Sequence, residues 1–215
     1  MGWQELADLP FAAALTAHQG ELSPGSDYDC AHFADAAFTG ARAGGSRFAE
    51  CAFTGVTMQD ARLQRSRFAD VYMRDARLVT VSLAESDWVD AVVLRTLIAG
   101  VEAYGAQLRR VVFRGCKLDS VNFRGAALTG VTFDDCDLSD IDFAGAQLTR
   151  TAFPGSRLVR TDFSRARLDH VDLRDAELGI IITPDSLRGA IVSAGQLASL
   201  APTLAQTMGI TISDA

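Results

Sequence analysis

Five aspartates lie within nine positions of the stretch VTFDDCDLSDIDFAG, residues 131–145. They are Asp134, Asp135, Asp137, Asp140 and Asp142. Closely spaced carboxylates can bind a divalent cation or act together as a general acid and base. A calcium loop needs the pattern Asp-x-Asp-x-Asp-Gly with a glutamate at its twelfth position, and the stretch has neither feature. The chemistry open to these carboxylates therefore depends on the element that positions them.

The sequence around these aspartates repeats with a period of five residues. Divided into quintets, it reads VNFRG, AALTG, VTFDD, CDLSD, IDFAG, AQLTR and TAFPG. Each central residue is Phe or Leu, and the residue two places earlier is Val, Ile, Thr, Ala or Cys. The register continues through 31 quintets, from the one centred on Tyr28 to the one centred on Leu178. Only the quintets centred on Ala43 and Ala103 lack a sizeable apolar centre.

A period of five fits neither a helix nor a continuous strand. Two apolar positions lie on one side of each quintet, and the other three are polar or glycine, so each quintet contributes one inward edge and a turn. Glycine is frequent at the turn position, where its permissive backbone helps the chain change direction. Stacked coils would then pair backbone to backbone at the ordinary strand spacing of about 4.8 Å.

These quintets resemble those of the pentapeptide-repeat family, and the resemblance covers about residues 26–182. It implies an all-β solenoid, a right-handed quadrilateral β-helix with four quintets per coil and about eight coils. From Phe113 to Leu168 the central residue alternates between Phe and Leu, which predicts large side chains on two opposite walls. Cys116 and Cys136 should stack inside the rod as small core residues. Residues 88–105 keep the count but fill the core less, which predicts either a bend or ordinary packing variation.

Both ends of a solenoid need caps. Residues 1–25 are expected to form a helical N-terminal cap over the first coil, and residues 183–215 a C-terminal module. In that module Ser193 is a suitable N-cap and Gly209 a suitable stop for a helix. Pro202 should kink the helix or start a second turn, and residues 210–212 should form a short strand.

The C-terminal module resembles that of the quinolone-resistance pentapeptide proteins, in which a helix and a strand mediate a two-fold dimer. The resemblance implies a homodimer through Leu197, Leu200, Leu204, Met208, Ile210 and Ile212. The alternative is a helix that folds back on the last coil of its own rod.

The composition of the chain argues against several classes of function. The formal charge of −7 argues against general nucleic-acid binding, which requires a basic surface. Four cysteines without a CxxC pair, the absence of a signal-peptide pattern and of long apolar runs favour a cytoplasmic protein without a membrane segment. The quintet frame points all five aspartates outward on three sides of one coil, so they cannot converge on a metal or act as an acid–base pair. We expect no metal, no cofactor and no enzymatic activity.

Two interpretations of the aspartates remain at this point: a solvated face, or mimicry of DNA. The family resemblance implies the second, because several members present acidic faces to type II topoisomerases such as DNA gyrase and protect them from quinolones or natural poisons. Asp169, Asp172, Asp175 and Glu177 form a second acidic zone, but arginines lie between the two zones. Residues 26–180 contain 22 acidic and 19 basic residues. The charge is therefore patchy. The family resemblance implies a gyrase-binding DNA mimic, with a scaffold for another protein partner as the alternative.

Overall fold

The structure, a computed structural model, describes residues 5–181, 183 and 186–211. The chain forms a parallel β-solenoid in which each coil passes four walls, numbered here 1 to 4 in chain order from Tyr28. The predicted all-β solenoid of about eight coils is confirmed. No helix within the described residues is long and apolar enough to cross a membrane.

Three walls are parallel sheets, and some of their strands run around a corner into the next wall. Wall 1 contains Asp27–Asp29, Arg47–Ala49, Arg67–Ala69, the start of Asp87–Leu94, the start of Gln107–Arg114, Ala127–Thr129, Gln147–Thr149 and Arg167–Asp169. Wall 2 contains Thr16–Ala17, Ala31–Ala34, Ala52–Thr54, Tyr72–Arg74, the ends of Asp87–Leu94 and Gln107–Arg114, Thr132–Asp134, Val171–Asp172 and Ala190–Ile191. Wall 3 contains Ala37–Thr39, Thr57–Gln59, Arg77–Val79, Leu97–Ala99, Lys117–Asp119, Asp137–Ser139, Arg157–Asp162 and Glu177–Ile181. Wall 4 is joined by single bridges, for example between Asn122 and Asp142.

Residues on neighbouring coils pair at a spacing of 20 along most of the rod, as in the pairs Leu118↔Leu138 and Leu138↔Leu158. The implied four quintets per coil are therefore present. The register shifts by one at the end of wall 3, where Val159 pairs with Gly179 but Thr161 pairs with Ile180. Beyond this point partners are 19 apart, as in Val171↔Ala190. The unbroken count of five in the sequence does not reveal this shift.

From Cys30 to His170, each corner of the rod is made by the residue two places after the quintet centre, which adopts a left-handed backbone. Asp175 does not adopt it. Gly40, Gly55 and Gly100 do so, as expected for glycine. Many corners carry other residues in the same conformation, including Asp135 at φ +51° and Asp140 at φ +54°. Aspartate and asparagine tolerate this region better than most residues. The corner geometry thus accounts for some of the aspartates that drew attention in the sequence.

From Phe113 to Phe163, aromatic side chains stack along opposite walls of the core, whereas nearer the N-terminus they stack along the adjacent walls 1 and 2. On wall 2 the rings of Phe113 and Phe133 are 4.9 Å apart and nearly parallel, and on wall 4 those of Phe123 and Phe143 are 5.3 Å apart. Leucines such as Leu138 fill walls 1 and 3 between them. The predicted Phe–Leu alternation is confirmed. Cys116 and Cys136 are both buried, with free thiols, in the same column of wall 3.

The weak stretch of the repeat coincides with a small apolar cavity in the core. The cavity has a volume of about 40 Å³ and is lined by Trp88, Val93, Ala103 and Phe113, among others. Ala103 occupies a central position of wall 4 where the coils on either side have Leu83 and Phe123. The small side chain therefore leaves space that its neighbours do not fill.

The N-terminal segment differs from the predicted helix. Within the described residues it contains two 3₁₀ turns, Leu6–Asp8 and Ala12–Ala14, followed by the strand Thr16–Ala17. That strand pairs with Ala31–Ala34 and caps wall 2 of the first coil. The His18 ring packs against Tyr28 and Phe33 at the open end of the core. Leu22, which is buried in the core, also covers the first coil, whereas residues 6–15 lie along the outside of wall 2.

The C-terminal helix spans Ala194–Thr207 and is continuous through Pro202. Ser193 is its N-cap, as predicted, and forms a capping box with Gln196. At the other end Gly209 has φ +75°, Gly209 N–H donates to Gln206 O, and Ile210 N–H donates to Ala205 O. These bonds form a Schellman motif with Gly209 at the predicted position. Residues 210 and 211 are not in a strand, and the rest of the predicted strand lies outside the described residues.

Candidate partner-binding surfaces

The aspartate-rich stretch lies on the outside of one coil and spans three walls. Asp134 is on wall 2, Asp137 on wall 3 and Asp142 on wall 4. Asp135 and Asp140 form the corners between these walls. The carboxylates point in different directions. Within the described residues, no group of three or more His, Cys, Asp or Glu side chains is placed to hold a metal.

Four of these five carboxylates form ion pairs with arginines of a neighbouring coil. Asp134 Oδ2 lies 2.7 Å from Arg114 Nε, and Asp142 Oδ2 lies 2.6 Å from Arg124 Nε. The other two pairs are Asp140 with Arg160, at 2.6 Å, and Asp137 with Arg157, at 3.4 Å. Three of these pairs join residues 20 positions apart, which the coil spacing brings face to face. Arg124 and Asp142 are 18 positions apart and meet diagonally across neighbouring coils. The arginines neutralise most of this acidic stretch locally.

Asp142 also accepts a hydrogen bond from the backbone, as does Asp162 outside this stretch. Asp142 Oδ1 accepts a hydrogen bond of 2.8 Å from the N–H of Ala144 and so stabilises the turn that follows. Asp162 makes the equivalent bond with Ser164 one coil later. The guanidinium of Arg160, which donates two hydrogen bonds to Asp140, holds the pKa of that carboxyl below its usual value. Part of the acidic composition therefore serves the architecture of the rod.

The second acidic zone is less neutralised. Asp172 pairs with Arg174 at 2.7 Å, and the hydrogen bond from Arg174 lowers the pKa of the Asp172 carboxyl. Asp169 lies 2.6 Å from His170 Nδ1. Asp175 and Glu177 are exposed and make no ion pair within the described residues. The structure thus places the two acidic zones apart, with Arg150, Arg157, Arg160, Arg165 and Arg167 on the surface between them.

The predicted dimer residues do not all face the same way. Leu200 is buried against the last coil, and Leu204 is half-buried. Leu197, Met208 and Ile210 have exposed fractions of 51%, 70% and 52%. Ile212 lies outside the described residues. The helix therefore packs on its own rod with one side, as the alternative expected, and presents apolar side chains to solvent with another.

Two contacts fix the helix on the rod. The Gln196 side chain donates hydrogen bonds of 2.6 Å to Leu173 O and 2.7 Å to Ala176 O of the last coil. Leu173 O also accepts a hydrogen bond from the N–H of Ala176. Leu200 covers the apolar end of the core beside Ala176 and Leu178. The orientation of the exposed residues follows from this docking.

The sequence of the repeat matches models of known protein families. One family model, described as a pentapeptide repeat region, matches residues 97–163, and a second, described as eight copies of pentapeptide repeats, matches residues 31–70. The chain is a pentapeptide-repeat protein. No curated protein matches the sequence.

Several solved structures resemble this pentapeptide-repeat protein. QnrB1, a plasmid-mediated fluoroquinolone resistance protein, is 23% identical with a TM-score of 0.45, over 92% of this chain and 94% of that one. A protein of the Arabidopsis thaliana thylakoid lumen is 16% identical with a TM-score of 0.43, over 56% of this chain and 74% of that one. HetL of Nostoc sp. strain PCC 7120, involved in heterocyst differentiation regulation, is 22% identical with a TM-score of 0.27, over 87% of this chain and 96% of that one.

The N-terminal segment of the pentapeptide-repeat protein covers an apolar stripe that the sequence analysis missed. Leu9 and Phe11 are buried against Tyr72, Val92 and Leu94 on the outside of wall 2. An ion pair between Glu5 and Arg74 fastens the start of the segment. The sequence contains an indication of this apolar stripe. Tyr72, Val92 and Leu94 are large apolar residues at quintet positions that are elsewhere mostly polar or small.

Proposed function

We propose that this pentapeptide-repeat protein acts without catalysis, as a homodimer that binds a protein partner along the outside of its rod. The observation that carries the proposal is the apolar surface at the C-terminal end. Leu197, Met208 and Ile210 are exposed there together with Ile181 and Ile191. The other large apolar residue that is exposed within the described residues is Tyr104 on wall 4.

A second copy of the chain is the occupant that fits this end. Residues 189–211 contain no charged side chain, although charged residues make up 22% of the whole sequence. The core of an interface is typically depleted in charge, and a two-fold dimer uses the same patch on both subunits. Because Gln196 and Leu200 hold the helix on the rod, Leu197 and Met208 keep a fixed outward orientation without a partner. Two rods joined end to end would present one long surface.

The first candidate partner is a type II topoisomerase such as DNA gyrase. The resemblance of the repeats and the C-terminal segment to the quinolone-resistance subgroup supports it. DNA mimicry would use Asp134, Asp135, Asp137, Asp140 and Asp142, with the second acidic zone, as substitutes for phosphates. A basic site on the enzyme would have to compete for these carboxylates with arginines such as Arg160, which already lies 2.6 Å from Asp140.

The mixed charge of the surface favours the second candidate, a scaffold that binds another protein. Ion pairs between neighbouring coils interrupt the acidic surface on walls 2, 3 and 4. A DNA mimic is expected to present a continuous acidic stripe, whereas a scaffold requires only complementarity to its partner.

A supercoiling assay separates the two candidates. Purified protein is titrated into gyrase with and without a quinolone, beside a variant in which the five aspartates of residues 131–145 are changed to Asn. A matched control changes Asp27, Asp29, Asp35, Asp60 and Asp70 to Asn, which removes the same charge elsewhere. A topoisomerase-binding mimic should alter supercoiling or poisoning at micromolar concentration, and the first variant alone should lose the effect. If the protein has no effect on topoisomerases from several sources, the scaffold for another protein is the candidate that remains.

A further inference from the structure

Five exposed arginines cluster on two neighbouring coils near the N-terminal end. Arg42 and Arg62 are on wall 4, Arg47 and Arg67 on wall 1, and Arg65 at the corner between these walls. Arg42 pairs with Arg62 through the backbone, and Arg47 with Arg67, so like charges lie directly above one another at about the 4.8 Å strand spacing. These five residues are called the arginine patch.

The arginine patch departs from the pairing used on the rest of the rod. Elsewhere an arginine often faces an aspartate one coil away, as Arg110 faces Asp90 and Arg160 faces Asp140. In the patch the residue one coil away is another arginine. Like charges directly opposite each other in a sheet are unfavourable, so this arrangement costs stability without a compensating anion.

The carboxylates near the patch form no ion pair with its arginines within the described residues. Asp87, next to Arg67 in the sheet, is held by Arg109 at 2.9 Å. Asp27, next to Arg47, makes no ion pair within the described residues, and Glu85 at the corner one coil below Arg65 makes none either. None of the five arginines forms an ion pair within the part of the chain that the structure describes. Their guanidinium groups are available.

The backbone at the centre of the patch is open. Gly45 forms the corner between Arg42 and Arg47, and a Cβ added at this position would meet nothing within 4 Å. An approaching chain can therefore reach the corner without steric hindrance, with arginines on both sides of it.

We propose that the arginine patch binds a short acidic segment of a partner protein. Arginine forms bidentate hydrogen bonds with carboxylates, and five guanidinium groups on two coils suit a few closely spaced Asp or Glu side chains. The small patch and the net charge of −7 on the whole protein disfavour a long polyanion such as nucleic acid. The inference rests on the proposed function only in that the rod binds protein, and it names a surface distinct from the aspartate-rich stretch and the C-terminal end.

Fluorescence anisotropy with labelled hexaglutamate tests this proposal at low ionic strength. The wild-type protein should bind the peptide, and the double variant Arg62→Gln/Arg67→Gln should bind at least about 10-fold more weakly, because close charge pairs dominate such contacts. The matched control is Arg157→Gln/Arg160→Gln, which removes the same charge from paired arginines and should change affinity by less than about 2-fold. Arg62→Lys/Arg67→Lys keeps the charge and should recover part of the binding.

Three results would overturn the proposal. They are no binding of hexaglutamate by the wild-type protein, an equal loss in both glutamine variants, and tighter binding of a single-stranded oligonucleotide of similar length than of the peptide. The third result would assign the patch to nucleic acid. The assay contains no topoisomerase and does not depend on dimerisation, so its failure is distinguishable from failure of the proposed function.

Discussion

At the scale of single residues, the aspartates that suggested chemistry prove to be part of the construction of the rod. Asp140 forms a corner in the left-handed conformation and pairs with Arg160. Asp142 accepts a hydrogen bond from the turn after it and pairs with Arg124. Outward position, corner geometry and ion pairing together explain why aspartate recurs on this coil.

The Asp140–Arg160 pair predicts a pH dependence of stability. Because Arg160 lowers the pKa of Asp140 in the folded state, the pair stabilises the fold above the ordinary carboxyl pKa of 3.8, and this contribution is lost as the pH falls through the lowered value. Asp140→Asn should therefore be less stable than the wild type at neutral pH and equally stable near about pH 2. Urea unfolding across this range measures the difference.

Asp60→Asn is the matched control for the pH experiment. Asp60 forms the same corner four coils earlier with φ +54°, and it has no arginine partner within the described residues. Asp60→Asn should show the same pH dependence of the free energy of unfolding as the wild type. A difference between Asp140→Asn and wild type that stays constant down to about pH 2 would contradict the assignment.

The cavity beside Ala103 predicts a stabilising substitution. Filling a space of about 40 Å³ should raise the free energy of unfolding by up to about 1 kcal/mol, so Ala103→Val should be more stable than the wild type. Ala43→Val is the control, because Ala43 is a fully buried central residue of the same wall that does not line the cavity. Overpacking there should cost about 1–3 kcal/mol. Equal effects in chemical denaturation would show that the cavity is not the cause.

At the scale of elements, some structural features of the two ends could be predicted from the sequence and others could not. The Phe–Leu alternation and the helix caps at Ser193 and Gly209 could be predicted, because each depends on local spacing. The position of the N-terminal segment on wall 2 depends on Leu9 and Phe11 meeting Tyr72 and Val92, far away in the chain. No local pattern contains that contact.

The ion pairs of the aspartate-rich stretch follow from the coil period, although no local pattern contains them. Arg114 and Asp134 are 20 positions apart, so the period of one coil places them side by side. Applied to the charges, the same period predicts that arginines neutralise part of the aspartate-rich stretch. The one-residue shift at Gly179 has no comparable signal in the repeat.

Docking of the C-terminal helix should depend on Gln196. Removing its side chain leaves the carbonyls of Leu173 and Ala176 without these donors and removes half of the capping box, which should cost about 1–2 kcal/mol. In Gln196→Ala, the helix amides should therefore exchange with solvent about 10-fold faster than in the wild type. Gln206→Ala, at an exposed position of the same helix, should have little effect. Similar exchange in both variants would contradict the role of Gln196.

At the scale of the whole molecule, the described residues form a rod with mixed charge on its walls, an apolar end without charged side chains and a basic patch whose arginines form no ion pair. A pentapeptide-repeat fold alone does not specify a partner. Dimerisation would double the length of wall available to a partner and place two copies of each surface in a symmetric arrangement. The function proposed here therefore depends first on whether the C-terminal end joins two chains.

The mass in solution, measured by light scattering after size-exclusion chromatography, tests that claim most directly. One chain has a mass of 23.0 kDa, and the account predicts twice this value for the wild-type protein at micromolar concentration. Leu197→Asp/Met208→Asp should give a single chain, because both side chains are exposed on the apolar end, whereas Tyr104→Asp on wall 4 should stay dimeric. A wild-type mass of 23.0 kDa at all accessible concentrations would contradict the account.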